Sequence, residues 1–255
     1  MSDRWRLGLM TAALLALALP AAAVIVGLPR FGDGITAYGA AINALGPGLR
    51  HIPNMVALVN FDMRALDTLG EESMLLCAVT GAVVLLRGDR GESRCDRANR
   101  LAGRALEPRS DAAVVVCRWG SPFLVLFGIY IALHGLLTPG GGFQGGVIAA
   151  SGLVLLYLGE GYGAWRSFVR GRAASLLEGT GVLVYAAAAG LPLLAGRAAL
   201  ENILPLGSYG QLFSGGLMLA INLAVFCAVS GGFALLILEF MEETRAEDDA
   251  DGDAG

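Results

Sequence analysis

The sequence predicts an all-α, polytopic integral membrane protein with about six transmembrane helices and both termini in the cytoplasm. Of its 255 residues, 55% are hydrophobic and only 16% are charged, whereas about a quarter of the residues in a soluble domain are charged. Apolar segments close to the roughly 20 residues that cross a bilayer as a helix recur along the chain. This composition excludes a disordered chain for most of the length and argues against a soluble globular enzyme.

Six segments are long enough, or nearly long enough, to span a membrane. We expect them at Leu7–Leu28, around Ser73–Leu86, and at Val114–Leu137, Phe143–Leu158, Ser175–Leu194 and Leu212–Leu238. The second apolar run has about 14 residues, roughly 21 Å of helix against a hydrocarbon core of about 30 Å. To cross, this helix must recruit residues back to about Asp67. A short interfacial helix is expected at residues 35–45, between the first two spans.

The arginines predict the orientation, because cytoplasmic loops carry an excess of basic residues. All 18 basic residues are arginine, and a cytoplasmic N-terminus places 14 of them inside and four outside. The start of the chain has an alternative interpretation. Arg4 and Arg6, the apolar run and Ala21–Ala23 resemble a cleavable secretory signal peptide, whose removal would leave the orientation of the other helices unchanged.

The polar segments suggest four regions. Residues 91–111 are basic and glycine-punctuated, and we expect a cytoplasmic linker there. It separates a two-helix module at residues 1–90 from a four-helix domain at residues 112–241. Residues 242–255 are rich in Asp and Glu, which predicts a disordered acidic tail.

Asp67 and Glu71 are the first candidates for function. They lie four residues apart, hence on one helical face, and the length of the second span puts them at or inside the outer membrane boundary. Buried ionisable residues in membrane spans are costly and by default mark function, so the pair could relay a proton or bind a cation. A nearby cation such as Arg64 would relieve their repulsion. The alternative is structural, since Thr68 and Glu71 fit a capping box that starts a helix.

His134 and the glycine-rich run after it form the second candidate. His134 ends an apolar helix near the outer side, and histidine titrates near neutral pH; the alternative is a histidine hydrogen-bonded to a neighbouring helix. The run then breaks the helix and turns the chain, and its packing and hairpin residues are Pro139, Gly140, Gly141, Gly142, Phe143, Gly145 and Gly146. Gly145, Ala149 and Gly152 offer a small-residue face for close helix packing.

The remaining polar residues carry weaker signals. Glu160, Glu178 and Glu239 fall near cytoplasmic helix ends, where a charge costs little. Asn222 lies in the middle of the sixth span and suggests an interhelical hydrogen bond. The four cysteines lack metal or redox spacing, so we expect no cofactor and no metal site. No catalytic motif and no basic face for nucleic acid is present, and the sequence offers no basis for enzymatic catalysis.

The glycine-rich stretch resembles a known family. Residues 128–135, with the sequence GIYIALHG, and residues 138–150, with the sequence TPGGGFQGGVIAA, closely resemble the MnhB (MrpB) subunit of the multisubunit Mrp/Mnh-type sodium–proton antiporters. The resemblance covers about residues 112–241, the size of that family's four-helix domain. Residues 62–71, with the sequence DMRALDTLGE, resemble the C-terminal part of the large MnhA-type subunit of the same antiporters. The same MbhE-like module is also a small separate subunit of membrane-bound hydrogenases.

This resemblance implies an accessory subunit of a multisubunit cation/proton antiporter in the bacterial cell (inner) membrane. Its partners would be other subunits of an antiporter or complex I-like assembly, and sodium ions and protons would be the transported species. By resemblance, Glu71 matches an acidic residue implicated in ion transfer; Asp67 and His134 are added as candidates for the same ion path. The chain has no lysine, so it cannot by itself supply the lysine-based proton channel of the large subunits. A structural scaffold, a redox-driven pump such as a membrane-bound hydrogenase, and an inorganic-carbon uptake complex remain alternatives.

Overall fold

A computed structural model describes residues 3–28, 36–88 and 110–252 of the chain, with side chains described as far as Met241. The chain divides into two compact units, Met1–Ala44 and Leu45–Gly255. The first unit contains α1 (Asp3–Val26), and α2 (Ala37–Arg50) runs across the boundary. Residues Leu7–Val26 of α1 are apolar and long enough to span a membrane, as predicted. The helix expected at residues 35–45 is present as α2, which continues to Arg50.

The regular elements in the described part of the second unit are all helices, and no strand occurs there. Its elements are α3 (Met55–Leu58), a π-helical turn (Val59–Met63), α4 (Ala65–Gly88), α5 (Asp111–Leu133), α6 (Gly142–Glu160), α7 (Tyr162–Phe168), α8 (Gly171–Leu194) and α9 (Leu217–Gly252). The described part of the chain contains six helices long and apolar enough to cross a membrane, α1, α4, α5, α6, α8 and α9. This confirms the predicted all-α, multi-pass fold.

Three helix boundaries have clear physical causes. The second span begins at Ala65, which confirms that it recruits the residues around Asp67. The third span ends at Leu133 and not at Leu137, because the chain turns at His134, where the backbone leaves the helical conformation. The sixth span begins at Leu217 and not at Leu212. Gly215 and Gly216, with φ of +83° and +58°, hold a backbone that a helix cannot continue and that favours glycine.

Helix α9 is the centre of the second unit. Two thirds of its span, 67%, is buried, and it packs against α4, α6 and α8, while α5 packs against α6. Glycines allow the close approaches. A Cβ atom on Gly181 of α8 would lie 2.5 Å from the carbonyl oxygen of Ala224, and one on Gly231 of α9 would lie 2.5 Å from the backbone nitrogen of Glu178. Close backbone packing of this kind is typical of membrane helices, which associate by van der Waals contact.

The predicted linker lies almost entirely in residues 89–109, outside the described part of the chain. The division into a module at residues 1–90 and a domain at residues 112–241 therefore stays a prediction. The acidic disordered tail expected at residues 242–255 also stays a prediction; the backbone of α9 is described as far as Gly252.

Candidate functional site

The two motifs singled out in the sequence meet at one cavity. The cavity has a volume of about 410 Å³ and is lined by residues of the π-helical turn, α4, the glycine-rich hairpin and α9. Polar side chains reach it from separate elements, Thr68 and Glu71 from α4 and Gln144 from α6. Gly140 and Phe143 of the hairpin complete the wall facing them. A carboxylate, a hydroxyl and a side-chain amide thus converge on a space large enough for several water molecules.

The π-helical turn and the start of α4 place Glu71 at this cavity. Thr68 is buried, and its Oγ1 donates a hydrogen bond to the carbonyl oxygen of Asn60, 2.9 Å away. This bond ties the first turn of α4 to the π-helical turn. The capping-box interpretation of Thr68 and Glu71 is therefore wrong, because α4 already begins at Ala65 and Thr68 bonds to an oxygen before that start.

Asp67 has a different environment from Glu71. Its side chain is 52% exposed, and its Oδ2 accepts a hydrogen bond from Nε of Arg64 at 2.6 Å. Arg64 thus supplies the neighbouring cation that was expected to relieve the repulsion between the two acids, and it pairs with Asp67. Asp67 does not line the cavity, so the two acids share a helix face while only Glu71 lines the cavity.

His134 also lies apart from the cavity lining. It follows the last residue of α5, its Nδ1 donates to the carbonyl oxygen of Tyr130 at 3.1 Å, and its ring stacks on that of Tyr130 with centroids 4.1 Å apart. Tyr130, the partner of His134, belongs to the same helix α5, whereas the alternative prediction placed the hydrogen-bond partner in a neighbouring helix. The structure therefore brings Glu71 together with the glycine-rich hairpin, and it leaves Asp67 and His134 outside this cavity.

Two buried asparagines hold the hairpin in shape. Asn222 of α9 donates from Nδ2 to the carbonyl oxygen of Ala132 at 2.6 Å and accepts at Oδ1 from the backbone nitrogen of Gly142 at 2.7 Å. It thereby joins the end of α5 to the start of α6, which confirms the predicted interhelical hydrogen bond. Gly140 and Gly141 connect these ends with φ of +146° and +149°, a conformation that favours glycine.

Asn54 is the asparagine that sequence reasoning missed. Its Oδ1 caps α3 by accepting from the backbone nitrogen of Val56 at 3.0 Å, and its Nδ2 donates to the carbonyl oxygens of Gly135 and Thr138 at 2.6 and 2.9 Å. It therefore fastens the hairpin to the segment that precedes Glu71. The sequence did contain a signal for the capping role of Asn54, because asparagine is strongly preferred at the position directly before a helix.

Three buried glutamates were also misjudged or missed. Glu72 was not singled out, and it is 2% exposed; Glu178 and Glu239, expected near cytoplasmic helix ends where a charge costs little, are 6% and 0% exposed. That interpretation is wrong for both, because each side chain turns into the helix interface and not toward a membrane surface.

Comparison with known proteins shows similarity to antiporter subunits. Residues 112–235 match the family model described as a domain related to the MnhB subunit of Na⁺/H⁺ antiporters. An uncharacterized protein of Methanocaldococcus jannaschii is 33% identical over 159 residues, which cover 54% of this chain and 58% of the relative. A probable K⁺/H⁺ antiporter A/B subunit of Rhizobium meliloti is 28% identical over 123 residues, which cover 42% of this chain and 12% of the relative. The chain thus spans less than two thirds of either curated relative.

Two solved membrane complexes contain similar chains. One is the membrane-bound sulfane sulfur reductase, an archaeal respiratory membrane complex, with a TM-score of 0.68, 26% identity, and coverage of 93% of this chain and 98% of that chain. The other is the Mrp complex from Dietzia sp., with a TM-score of 0.67, 23% identity, and coverage of 96% of this chain and 27% of that chain. The protein is a multi-pass membrane protein. Its residues 112–235 are similar to the MnhB-related domain of Na⁺/H⁺ antiporters, and the chain shares its fold with a chain of the Mrp complex.

Proposed function

We propose that the chain is an accessory membrane subunit of a multisubunit cation/proton antiporter and that the Glu71 cavity is part of its ion path. The observation that carries the proposal is the meeting of Glu71 with the glycine-rich hairpin at one cavity of about 410 Å³. An acidic side chain within a membrane span is costly and marks an ion or proton pathway by default. Carboxylate and amide oxygens are also suitable ligands for a hard cation.

Sodium ions and protons are the transported species in this proposal. The chain has no lysine, so other subunits would supply any lysine-based proton channel and this chain would line or complete a neighbouring path. The MnhB-related domain and the similarity to a probable K⁺/H⁺ antiporter protein support such partners. The proposal places the chain in a bacterial inner membrane with both termini in the cytoplasm, as the arginine distribution predicts.

A membrane subunit of a redox-driven ion pump is the second candidate. It is favoured by the similarity to a chain of an archaeal respiratory complex, which covers nearly the full length of both chains. In that setting the Glu71 cavity would serve the same ion path, driven by redox partners. Affinity purification of the tagged chain in mild detergent separates the two. Antiporter-like subunits as the only partners support the first candidate, and iron–sulfur or nickel-containing partners support the second.

Glu71→Gln in the assembled complex tests the ion path. We expect loss of sodium–proton exchange in membrane vesicles while blue-native gels show normal assembly. Glu201→Gln is the control, because Glu201 lies in an exposed loop and contacts Arg197. Normal exchange by the Glu71→Gln complex would overturn the proposed ion path. Loss of assembly in parallel with loss of exchange would instead support a structural scaffold.

A further inference from the structure

Two glutamates are buried where α4, α8 and α9 pack together. Glu72 of α4 and Glu178 of α8 are 2% and 6% exposed. The Oε1 atom of Glu178 lies against α9, since a Cβ atom added to Gly232 would be 3.1 Å from it and 3.2 Å from a methyl group of Val79 on α4. Glu72 and Glu178 are close enough to interact electrostatically. Both side chains are thus largely enclosed by helices.

These carboxyl groups lack the partners that buried charges require. Among the described residues, none donates a hydrogen bond to either oxygen of Glu72 or to Oε1 of Glu178. A buried carboxylate without a hydrogen bond or a cation is very costly. Because the described side chains do not compensate a negative charge here, the buried pair needs a bound proton or cation to be stable.

Among the described residues, the ionisable groups that interact with the pair carry no positive charge. On α4, Glu71 acts on Glu72 with the same sign, and on α8, Tyr185 interacts with Glu72. The hydroxyl of Tyr185 donates to the carbonyl oxygen of Ala65 at 2.7 Å. On α9, Gly232 faces the carboxyl of Glu178. The neighbouring charges that these contacts reveal are negative.

A proton fits this site better than a metal ion. Hard divalent cations take about six or more oxygen ligands, and the described residues contain no group of three or more His, Cys, Asp or Glu placed to hold a metal. Two neighbouring carboxyl groups, in contrast, need only one proton to remove their mutual repulsion. We propose that Glu72 and Glu178 form a proton-holding pair inside the membrane, in which at least one carboxyl group is a neutral acid at neutral pH.

This site is separate from the Glu71 cavity but lies next to it. Glu72 follows Glu71 in the chain, and Thr68, which lines the cavity, also interacts with Tyr185. The pair is thus placed to exchange a proton with the cavity. The inference does not rest on the proposed transport function, because protonation is measured without transport.

Infrared spectroscopy of the purified complex at neutral pH tests the proposal. We expect the carboxylic-acid C=O band of the wild-type protein to lose intensity in Glu72→Gln, in Glu178→Gln or in both, with no loss in the exposed control Glu201→Gln. Addition of sodium at constant pH should leave the band unchanged. A band that is the same in all four proteins would overturn the proposal. Disappearance of the band on adding sodium would also overturn it, in favour of a cation site.

A second measurement uses the wild-type protein and keeps the test valid if the variants do not assemble. Dicyclohexylcarbodiimide modifies protonated carboxyl groups in apolar surroundings, and mass spectrometry locates the adduct. We expect an adduct on Glu72 or Glu178 and none on Glu201. Absence of an adduct from both buried residues would count against a neutral acid at this site.

Discussion

Gly128 and Gly145 meet so closely that a Cβ atom on either one would lie 2.5 Å from the carbonyl oxygen of the other. The contact joins α5 to α6 and is buried on both sides. Ala149 and Gly152, about one and two turns after Gly145, continue the same buried face of α6. A Cβ atom on Gly152 would lie 2.8 Å from the carbonyl oxygen of Ser121. This confirms the small-residue packing face that the spacing of Gly145, Ala149 and Gly152 predicts.

Gly145→Ala should therefore destabilise the protein. The added methyl group has no space against Gly128 and Ala132, and overpacking of a tight contact costs about 1–3 kcal/mol. The matched control is Gly179→Ala, because a Cβ atom on Gly179 meets nothing within 4 Å. Thermal unfolding in detergent measures both. An equal effect of the two substitutions would contradict the packing argument.

Much of the fold was predictable from the sequence because it depends on local composition. The six spans follow from apolar segments of sufficient length, and the start of α4 near Asp67 follows from the minimum length of a crossing helix. The end of α5 and the start of α9 were less predictable. Both depend on backbone turns, at His134 and at Gly215–Gly216, and an apolar sequence on its own does not show where such a turn falls.

The candidate site was predictable only in part. Glu71 and the hairpin were recognised separately, but their meeting at one cavity depends on how α4, α6 and α9 pack. Asn54 and Glu178 were missed or misjudged for the same reason. Their roles arise from contacts with residues far away in the chain, such as Thr138 for Asn54 and Gly232 for Glu178, and hydrophobic spacing carries no information about those contacts.

Asn54→Ala should weaken the attachment of the hairpin. The substitution removes the cap of α3 and both donations to Gly135 and Thr138. With about 1 kcal/mol for a cap and about 1 kcal/mol for each hydrogen bond, we expect a loss of about 2–3 kcal/mol. Asn54→Ser retains a capping oxygen and should lose less. Chemical denaturation in mixed micelles measures the difference, and equal losses would show that the side-chain amide does not hold the hairpin.

Glu201 should give the stability a dependence on acidic pH. The hydrogen bond from Arg197, together with the backbone N–H of Ala198, lowers the pKa of Glu201. A carboxyl group whose pKa is lower in the folded protein stabilises it above the pKa of the unfolded chain and loses that contribution as the pH falls through the folded value. The difference in Tm between wild type and Glu201→Gln should therefore be present at neutral pH and vanish in acid. A difference that does not change with pH would contradict this assignment.

Asp67→Asn should impair transport much less than Glu71→Gln. Asp67 is exposed and paired with Arg64, and exposed ion pairs contribute only about 0–1 kcal/mol to stability, so we expect exchange close to the wild-type rate. Glu71, in contrast, lines the cavity together with Gln144. The neutral side chain introduced by Glu71→Gln cannot replace the charge of the carboxylate. Sodium-dependent proton movement in inverted vesicles, followed with a pH-sensitive dye and normalised to the assembled complex, compares the two variants. If Asp67→Asn abolished exchange as completely as Glu71→Gln, the ion path would have to include the Arg64–Asp67 pair, and the cavity would be only its inner part.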